Sequence, residues 1–131
     1  SIRLTFFDIF SDKTKQFGFK AVFPSGKVLT CLGDEPFNEK CRNFVQNCDY
    51  LMCEAFCLYN QKDIFKPYEK FHSTALDAGK LAESLFVKNL ILYHTEDETL
   101  QTRKSTYTSE ARTVFNGNIF VPDDFEVIDL K

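Results

Sequence analysis

The first part of the chain carries apolar and polar positions in a pattern that predicts β-structure. Ile2 to Phe10 is apolar and rich in aromatic and β-branched side chains, and Gln16 to Phe23 alternates aromatic with polar positions. Pro24-Ser25-Gly26 is typical of a tight turn, and Lys27 to Leu32 then predicts the returning strand. We therefore expect the fold to begin with a strand followed by a hairpin.

After the hairpin, strand-length apolar runs alternate with helical spacing, which predicts an α/β fold. Buried strands are predicted over Tyr50 to Ala55 and Val87 to Tyr93, and a closing pair of short strands between Ile119 and Leu130. Helices are predicted over Phe37 to Asn47, from a cap at Ser73 or Thr74 to about Phe86, and over Ser109 to Phe115 with Gly117 as its stop. The polar segment Asn60 to Phe71, which contains Pro67, predicts a surface excursion.

Length, composition and charge indicate a single globular domain and exclude some classes of protein. The 131 residues suit one domain, and 44% hydrophobic with 27% charged residues is an ordinary globular composition. A net charge of −3 argues against a surface dedicated to coating nucleic acid. No apolar run approaches the roughly 20 residues that span a bilayer, so we expect no membrane helix.

The cysteines predict a reducing compartment. Five of them, an odd number without framework spacing, point to free thiols (Cys31, Cys41, Cys48, Cys53 and Cys57). The segment Ser1 to Leu4 also lacks the charged and apolar pattern of a secretory leader. We therefore expect a cytoplasmic protein.

Four side chains are candidates for chemistry because of their place relative to the predicted elements. Asp34, Glu54 and His94 each follow or end a predicted strand, and His72 precedes the alanine-rich helix. Functional groups in open α/β sheets gather at the carboxyl ends of the strands. Two carboxylates and two imidazoles meeting there are suited to bind a metal or to transfer protons.

Each candidate also has a structural interpretation. Asp34 after Gly33 fits a turn, the partner of Glu54 can be structural, and a single histidine after a strand is often only hydrogen-bonded. Cys53 and Cys57 lack a second pair at zinc spacing, which argues against a thiolate metal site. We expect Glu96-Asp97-Glu98 to be a solvated loop.

The order of these residues resembles the metallo-β-lactamase superfamily, in its ribonuclease Z-like branch. Thr30-Cys31-Leu32-Gly33-Asp34 is similar to the strand that ends in the branch's acidic ligand, and Asp49 to Ala55 to the strand that ends in its His-Glu-Ala-Thr motif. Phe71-His72-Ser73-Thr74-Ala75 is similar to its His-Ser-Thr segment, and Lys88 to His94 to the later strand whose terminal histidine binds zinc. Glu110 to Leu130 resembles its last helix and closing strands.

The resemblance implies a fold and a chemistry. Residues 1–131 would be the C-terminal half of a metallo-β-lactamase-like domain, an αββα sandwich, with one mixed sheet and helices on its outer face. Asp34 and His94 would be metal ligands of a dinuclear zinc site, and His72, oriented by Glu54, would protonate the leaving oxygen of a phosphodiester, RNA among the candidate substrates. Such a half-domain needs its inner face covered, either by the missing N-terminal half or by a second copy in a homodimer.

The chain also departs from the branch. No histidine lies between Phe7 and Lys13, where a further ligand is expected, and the first His-x-His-x-Asp-His motif is absent. Cys53 and Phe56 stand where the branch has histidine and threonine. We therefore expect this chain alone to be an incomplete hydrolase. A non-catalytic interaction or scaffolding module that keeps the fold is the alternative, and an unrelated small α/β domain is a further one.

Overall fold

The computed structural model describes residues 1–130, and its six strands form one sheet. In chain order the strands are β1 (Arg3–Asp8), β2 (Phe17–Val22), β3 (Val28–Cys31), β4 (Tyr50–Glu54), β5 (Asn89–Tyr93) and β6 (Asn118–Phe120). They lie side by side in that same order; β1 to β3 are antiparallel and β3 to β6 are parallel. The predicted α/β class with one mixed sheet is therefore confirmed.

Short turns and helices connect the parallel strands. The helices are α1 (Arg42–Val45), α2 (Lys62–Phe65), α3 (Ala75–Ser84) and α4 (Leu100–Arg112), and 3-10 turns lie at Glu39–Cys41, Tyr59–Gln61 and Tyr68–Lys70. Thr74 is the N-cap of α3: its hydroxyl accepts from the Asp77 amide at 3.2 Å, and the Asp77 carboxylate accepts from the Thr74 amide at 2.9 Å. The predicted start of this helix is confirmed.

Three predicted elements were wrong in extent. Only a 3-10 turn and the four-residue α1 occupy the predicted helix Phe37 to Asn47. Helix α4 begins at Leu100 and ends at Arg112, not over Ser109 to Phe115; its surface is polar, with only Tyr107 and Ala111 buried, so its apolar periodicity is weak. Instead of two closing strands, the described residues after Gly117 contain β6 alone, because Pro122 follows it without an amide hydrogen to extend the ladder.

The main core lies between the sheet and the longer helices. Strand residues such as Leu51 and Leu90 pack there against Ala78 and Ala82 of α3 and Tyr107 of α4, and all of these side chains are at most 2% exposed. Alanines on the inner side of α3 let this helix approach the sheet closely. The helices therefore cover one face of the sheet, as predicted.

The opposite face of the sheet is apolar but only partly covered. Leu29, Tyr50 and Ile91 form a small buried cluster there, against which Phe120 and Ile128 pack. Toward the β1 edge the cover ends, and large side chains are exposed: Leu4 by 51%, Phe6 by 66% and Phe17 by 58%. None of the described helices is both long and apolar enough to cross a membrane.

Candidate functional site

The four predicted site residues meet at the carboxyl end of the parallel strands. Glu54 ends β4, Asp34 and His94 lie in the segments after β3 and β5, and His72 lies just before α3. Ligand atoms of Glu54, His72 and His94 all lie within 4.8 Å of one another. The Asp34 carboxylate is 3.9 Å from Nε2 of His94. Parallel strands in register bring these chain positions together, as the sequence analysis expected.

Glu54 and His72 form a buried pair. Oε1 of Glu54 accepts from the amide and the hydroxyl of Ser73, at 2.6 and 2.9 Å. Oε2 lies 3.3 Å from Nδ1 of His72, and neither of these two atoms has a hydrogen-bond partner. Burial raises the pKa of Glu54 to about 8, against the hydrogen bonds from Ser73. Burial also lowers the pKa of His72, so the uncharged form of each group is favoured.

His94 is held in an unusual backbone conformation. Its φ of 57° lies in the left-handed region, which costs a residue other than glycine about 1 kcal/mol or more. Beside it the Tyr93 hydroxyl donates to the carbonyl of Gly33 at 2.7 Å and so joins the end of β5 to the residue before Asp34. Tyr93 is a positioning residue that the sequence analysis missed, since its strand position gave no sign of this contact.

The prediction of a solvated loop over Glu96-Asp97-Glu98 is confirmed for Asp97 and Glu98, which are exposed, but it is wrong for Glu96. Glu96 is only 7% exposed. Its carboxylate accepts from the Glu98 amide at 2.6 Å and from the Thr99 hydroxyl, and its own amide donates to the Phe56 carbonyl at 2.7 Å. A guanidinium nitrogen of Arg103 donates to the Thr95 hydroxyl at 2.9 Å. These bonds attach the segment to α4. The start of this helix could not be predicted, because its sequence is polar.

A lysine lies at the end of the segment, residues 7–13, in which the resemblance leads us to expect a histidine. The Lys13 ammonium is 3.4 Å from the carboxylate of Glu35, which is 4% exposed and accepts from the Ser11 hydroxyl at 2.7 Å. The charge of Lys13 acts on both members of the Glu54–His72 pair. This edge of the site therefore carries a resident positive charge.

The cluster has the chemistry of a metal-binding site. Two imidazoles with carboxylates form a donor set suited to zinc and related cations. Three of its buried atoms lack hydrogen-bond partners: Oδ1 of Asp34, Oε2 of Glu54 and Nδ1 of His72. Leaving such atoms unpaired costs about 1–3 kcal/mol each; a cation would satisfy the Asp34 oxygen, and a proton between Glu54 and His72 would satisfy the other two atoms. The residues present therefore fit one cation, while a second would require ligands beyond these four.

A cavity of about 470 Å³ opens beside His72. Apolar side chains line most of it, among them Leu32, Phe37 and Leu81, and Lys80 and Asp77 lie on its polar side. Sequence analysis did not identify this cavity, because its walls come from β3, β4, α3 and the segment after Asp34. It gives the site a concave neighbour of the size that small-molecule sites have.

Comparison with known proteins agrees with this architecture. The chain is 32% identical over 98 residues to Ribonuclease Z of Bacillus cereus (strain AH187) and, to the same extent, to that of Bacillus thuringiensis (strain Al Hakam). The structure of the metallo-beta-lactamase fold protein YhfI from Bacillus subtilis superposes on 92% of the chain with a TM-score of 0.76 at 19% identity. The chain has the metallo-β-lactamase fold and, over three quarters of its length, is similar to ribonuclease Z.

The chain matches only part of each of these proteins. Human tRNase Z, short form, superposes on 98% of the chain with a TM-score of 0.73 at 24% identity, but the match covers 43% of that protein. It covers 46% of YhfI, and the sequence match covers 75% of this chain and 31% of the Bacillus cereus ribonuclease Z. The chain thus spans less than half the length of these relatives. No family model matches it.

Proposed function

We propose that this chain is the C-terminal portion of a metal-dependent hydrolase that resembles ribonuclease Z and acts on phosphodiesters, RNA being the first substrate to test. The observation that carries the proposal is the meeting of Glu54, His72 and His94, with unpaired buried atoms, in a chain similar to ribonuclease Z. A buried carboxylate oxygen without a partner beside an imidazole nitrogen without a partner is costly for stability alone, which favours a functional reason for the pair.

In this proposal Asp34 and His94 hold the metal, and Glu54 orients His72. Bound zinc would lower the pKa of water and stabilise charge on the phosphate oxygens. The chain's own residues then handle the proton. As a water molecule loses a proton to solvent and its oxygen bonds to phosphorus, the bond to the leaving oxygen breaks. The leaving oxygen takes a proton from the His72 imidazole, which regains one from solvent in each turnover. The Glu54 carboxyl, fixed by Ser73, keeps the ring in place.

We propose that a complete site holds two zinc ions and takes its remaining ligands from outside this chain. Four candidate side chains are too few for two cations, and residues 7–13, where the resemblance leads us to expect a further ligand, contain no histidine. On this view the chain alone is not a competent hydrolase. Elemental analysis of the purified chain tests this: at most one equivalent of metal supports an incomplete site, and two equivalents contradict it.

The uncovered sheet face supports a proposal about partners. Leu4, Phe6 and Phe17 are more than half exposed on an apolar face, next to the small buried cluster. We propose that the preceding half of a longer protein covers this face, and that a second copy of the chain covers it where that half is missing. Sedimentation at micromolar concentration tests whether the chain alone forms this homodimer, and a clean monomer contradicts it. We also propose a cytoplasmic location, because all five cysteines are free.

A non-catalytic interaction or scaffolding module is the second candidate function. The departures at Cys53 and Phe56 favour it, since both replace residues of the branch's motif. Substitution in the longer protein that contains this chain separates the two. His72→Ala should lower turnover without removing metal, whereas Asp34→Ala should weaken metal binding. If both variants leave both properties unchanged, the non-catalytic interpretation is correct.

A further inference from the structure

One face of the His72 imidazole is covered by an aromatic ring. The rings of Phe56 and His72 are stacked, with centroids 4.8 Å apart and planes 17° from parallel. The His72 side chain is only 9% exposed, and its Nδ1 edge faces Glu54. The stacked ring therefore restrains the tilt of the imidazole, while Glu54 lies at its edge.

Phe56 is itself held by three parts of the fold. Its amide donates to the Ser73 carbonyl at 2.8 Å, and its carbonyl accepts from the Glu96 amide at 2.7 Å and the Tyr107 hydroxyl at 3.2 Å. These contacts come from the start of α3, from the segment after His94 and from α4. Since Tyr107 is fully buried, the backbone of Phe56 is tied to the core.

The aromatic ring has further neighbours at the site. The ammonium of Lys70 lies 5.2 Å from its centroid, and the His94 ring lies 6.5 Å from it. The His72 and His94 rings are 5.0 Å apart. Phe56 thus adjoins both imidazoles of the cluster. A threonine, which the resemblance places at this position, has no ring to stack.

We propose that Phe56 is a positioning residue that holds the plane of the His72 imidazole, so that Nδ1 stays turned to Glu54 and the ring stays beside His94. In this chain the stacked ring of Phe56 fixes the orientation of the imidazole, and no hydrogen bond from the side chain of residue 56 is needed. The inference rests on the role proposed above for His72, but the orientation of the ring can be measured without any activity.

The first test uses nuclear magnetic resonance of the unaltered chain at one fixed pH. We expect cross-relaxation between the ring protons of Phe56 and His72, and upfield-shifted His72 ring protons, because they lie over an aromatic face. Absence of these contacts overturns the proposal, whatever any variant does. Failure of hydrolysis assays would leave this measurement unaffected, so the two proposals fail separately.

Variants extend the test. Phe56→Leu should move the His72 ring protons downfield and weaken the cross-relaxation between the His72 and His94 rings, which lie 5.0 Å apart in the unaltered chain. Phe56→Tyr should keep both properties. Phe65→Leu is the matched control, since Phe65 lines the same small cavity as Phe56 and has no stacking contact with His72. If Phe56→Leu or Phe56→Thr keeps the His72 signals and the His72–His94 cross-relaxation of the unaltered chain, the proposal is wrong.

Discussion

The two ends of the parallel strands each carry an acidic side chain, and the two are used in opposite ways. At the amino end, Asp49 accepts from the Val28 amide at 2.8 Å and from the Lys88 ammonium at 3.0 Å. At the carboxyl end, Glu54 keeps one oxygen unpaired beside an equally unpaired nitrogen of His72. Satisfied groups stabilise a fold, and unsatisfied ones cost stability and are retained where a ligand will meet them.

The pKa shifts of the two carboxyl groups follow this difference. Burial works against the charge of Asp49, but the hydrogen bonds from Val28 and Lys88 outweigh it, and the pKa of Asp49 is lowered. For Glu54, burial dominates and raises the pKa to about 8. The difference indicates that hydrogen-bonding partners, more than the residue type, separate a structural carboxylate from a candidate ligand in this sheet.

The largest effect should come from removing an imidazole at the carboxyl end. His94→Ala should weaken Zn²⁺ binding by at least about 100-fold. Removing a group that only hydrogen-bonds to a metal ligand weakens metal affinity by about 10- to 100-fold, and removing the ligand itself costs more. Isothermal titration calorimetry of the chain measures this. Lys88→Met, at the other end of the same strand, is the control and should leave Zn²⁺ affinity unchanged. Equal affinity in His94→Ala and the unaltered chain would mean that His94 is not a ligand.

Stability should respond mainly at the amino end. Asp49→Ala leaves the half-buried Val28 amide without its acceptor and should lower the free energy of unfolding by about 2 kcal/mol. Glu54→Gln keeps an oxygen for Ser73 and should cost less than about 1 kcal/mol. Urea denaturation of the metal-free chain compares the two. If Glu54→Gln lowers the free energy of unfolding more than Asp49→Ala does, the carboxyl end contributes more to stability than the amino end, and the prediction is wrong.

The lowered pKa of Asp49 predicts a pH dependence. A folded-state pKa below the unfolded value means that the unfolded chain binds the proton more readily. The stabilisation is therefore fully present above the unfolded value of about 4 and is lost as pH falls through the lower, folded value. Melting temperatures measured from pH 6 down to about pH 3 should fall less steeply for Asp49→Asn than for the unaltered chain. Parallel curves would contradict this.

A smaller effect should follow from the resident charge at the carboxyl end. Lys13→Met removes the ammonium that acts on Glu54 and His72, so Zn²⁺ should bind about threefold to tenfold more tightly. Lys15→Met is the matched control, because Lys15 is more exposed and pairs with Asp8 at 3.6 Å. Weaker binding in Lys13→Met would show instead that Lys13 supports the site.

How much could be predicted from the sequence depended on how locally each feature is encoded. Strand β4 was predicted because Tyr50 to Ala55 is a compact apolar run, and α3 because a capping residue, Ser73 or Thr74, precedes alanines at helical spacing. Helix α4 was predicted only in part, since two buried residues give almost no periodic signal. Glu96 was misjudged because its burial depends on Thr99 and on Phe56, which is distant in sequence.

The sequence by itself determined the fold class, the order of the main strands and the identity of the four candidate site residues. Each of these follows from local patterns or from motifs that resemble a known family. Only the tertiary structure decided that Glu54 and His72 are left with unpaired atoms, that Phe56 stacks on the imidazole and that Lys13 brings a charge to the edge. Those properties depend on which atoms meet across β4, β5 and α3. A linear pattern of residue types places side chains on a face, but three-dimensional packing decides which of them find partners.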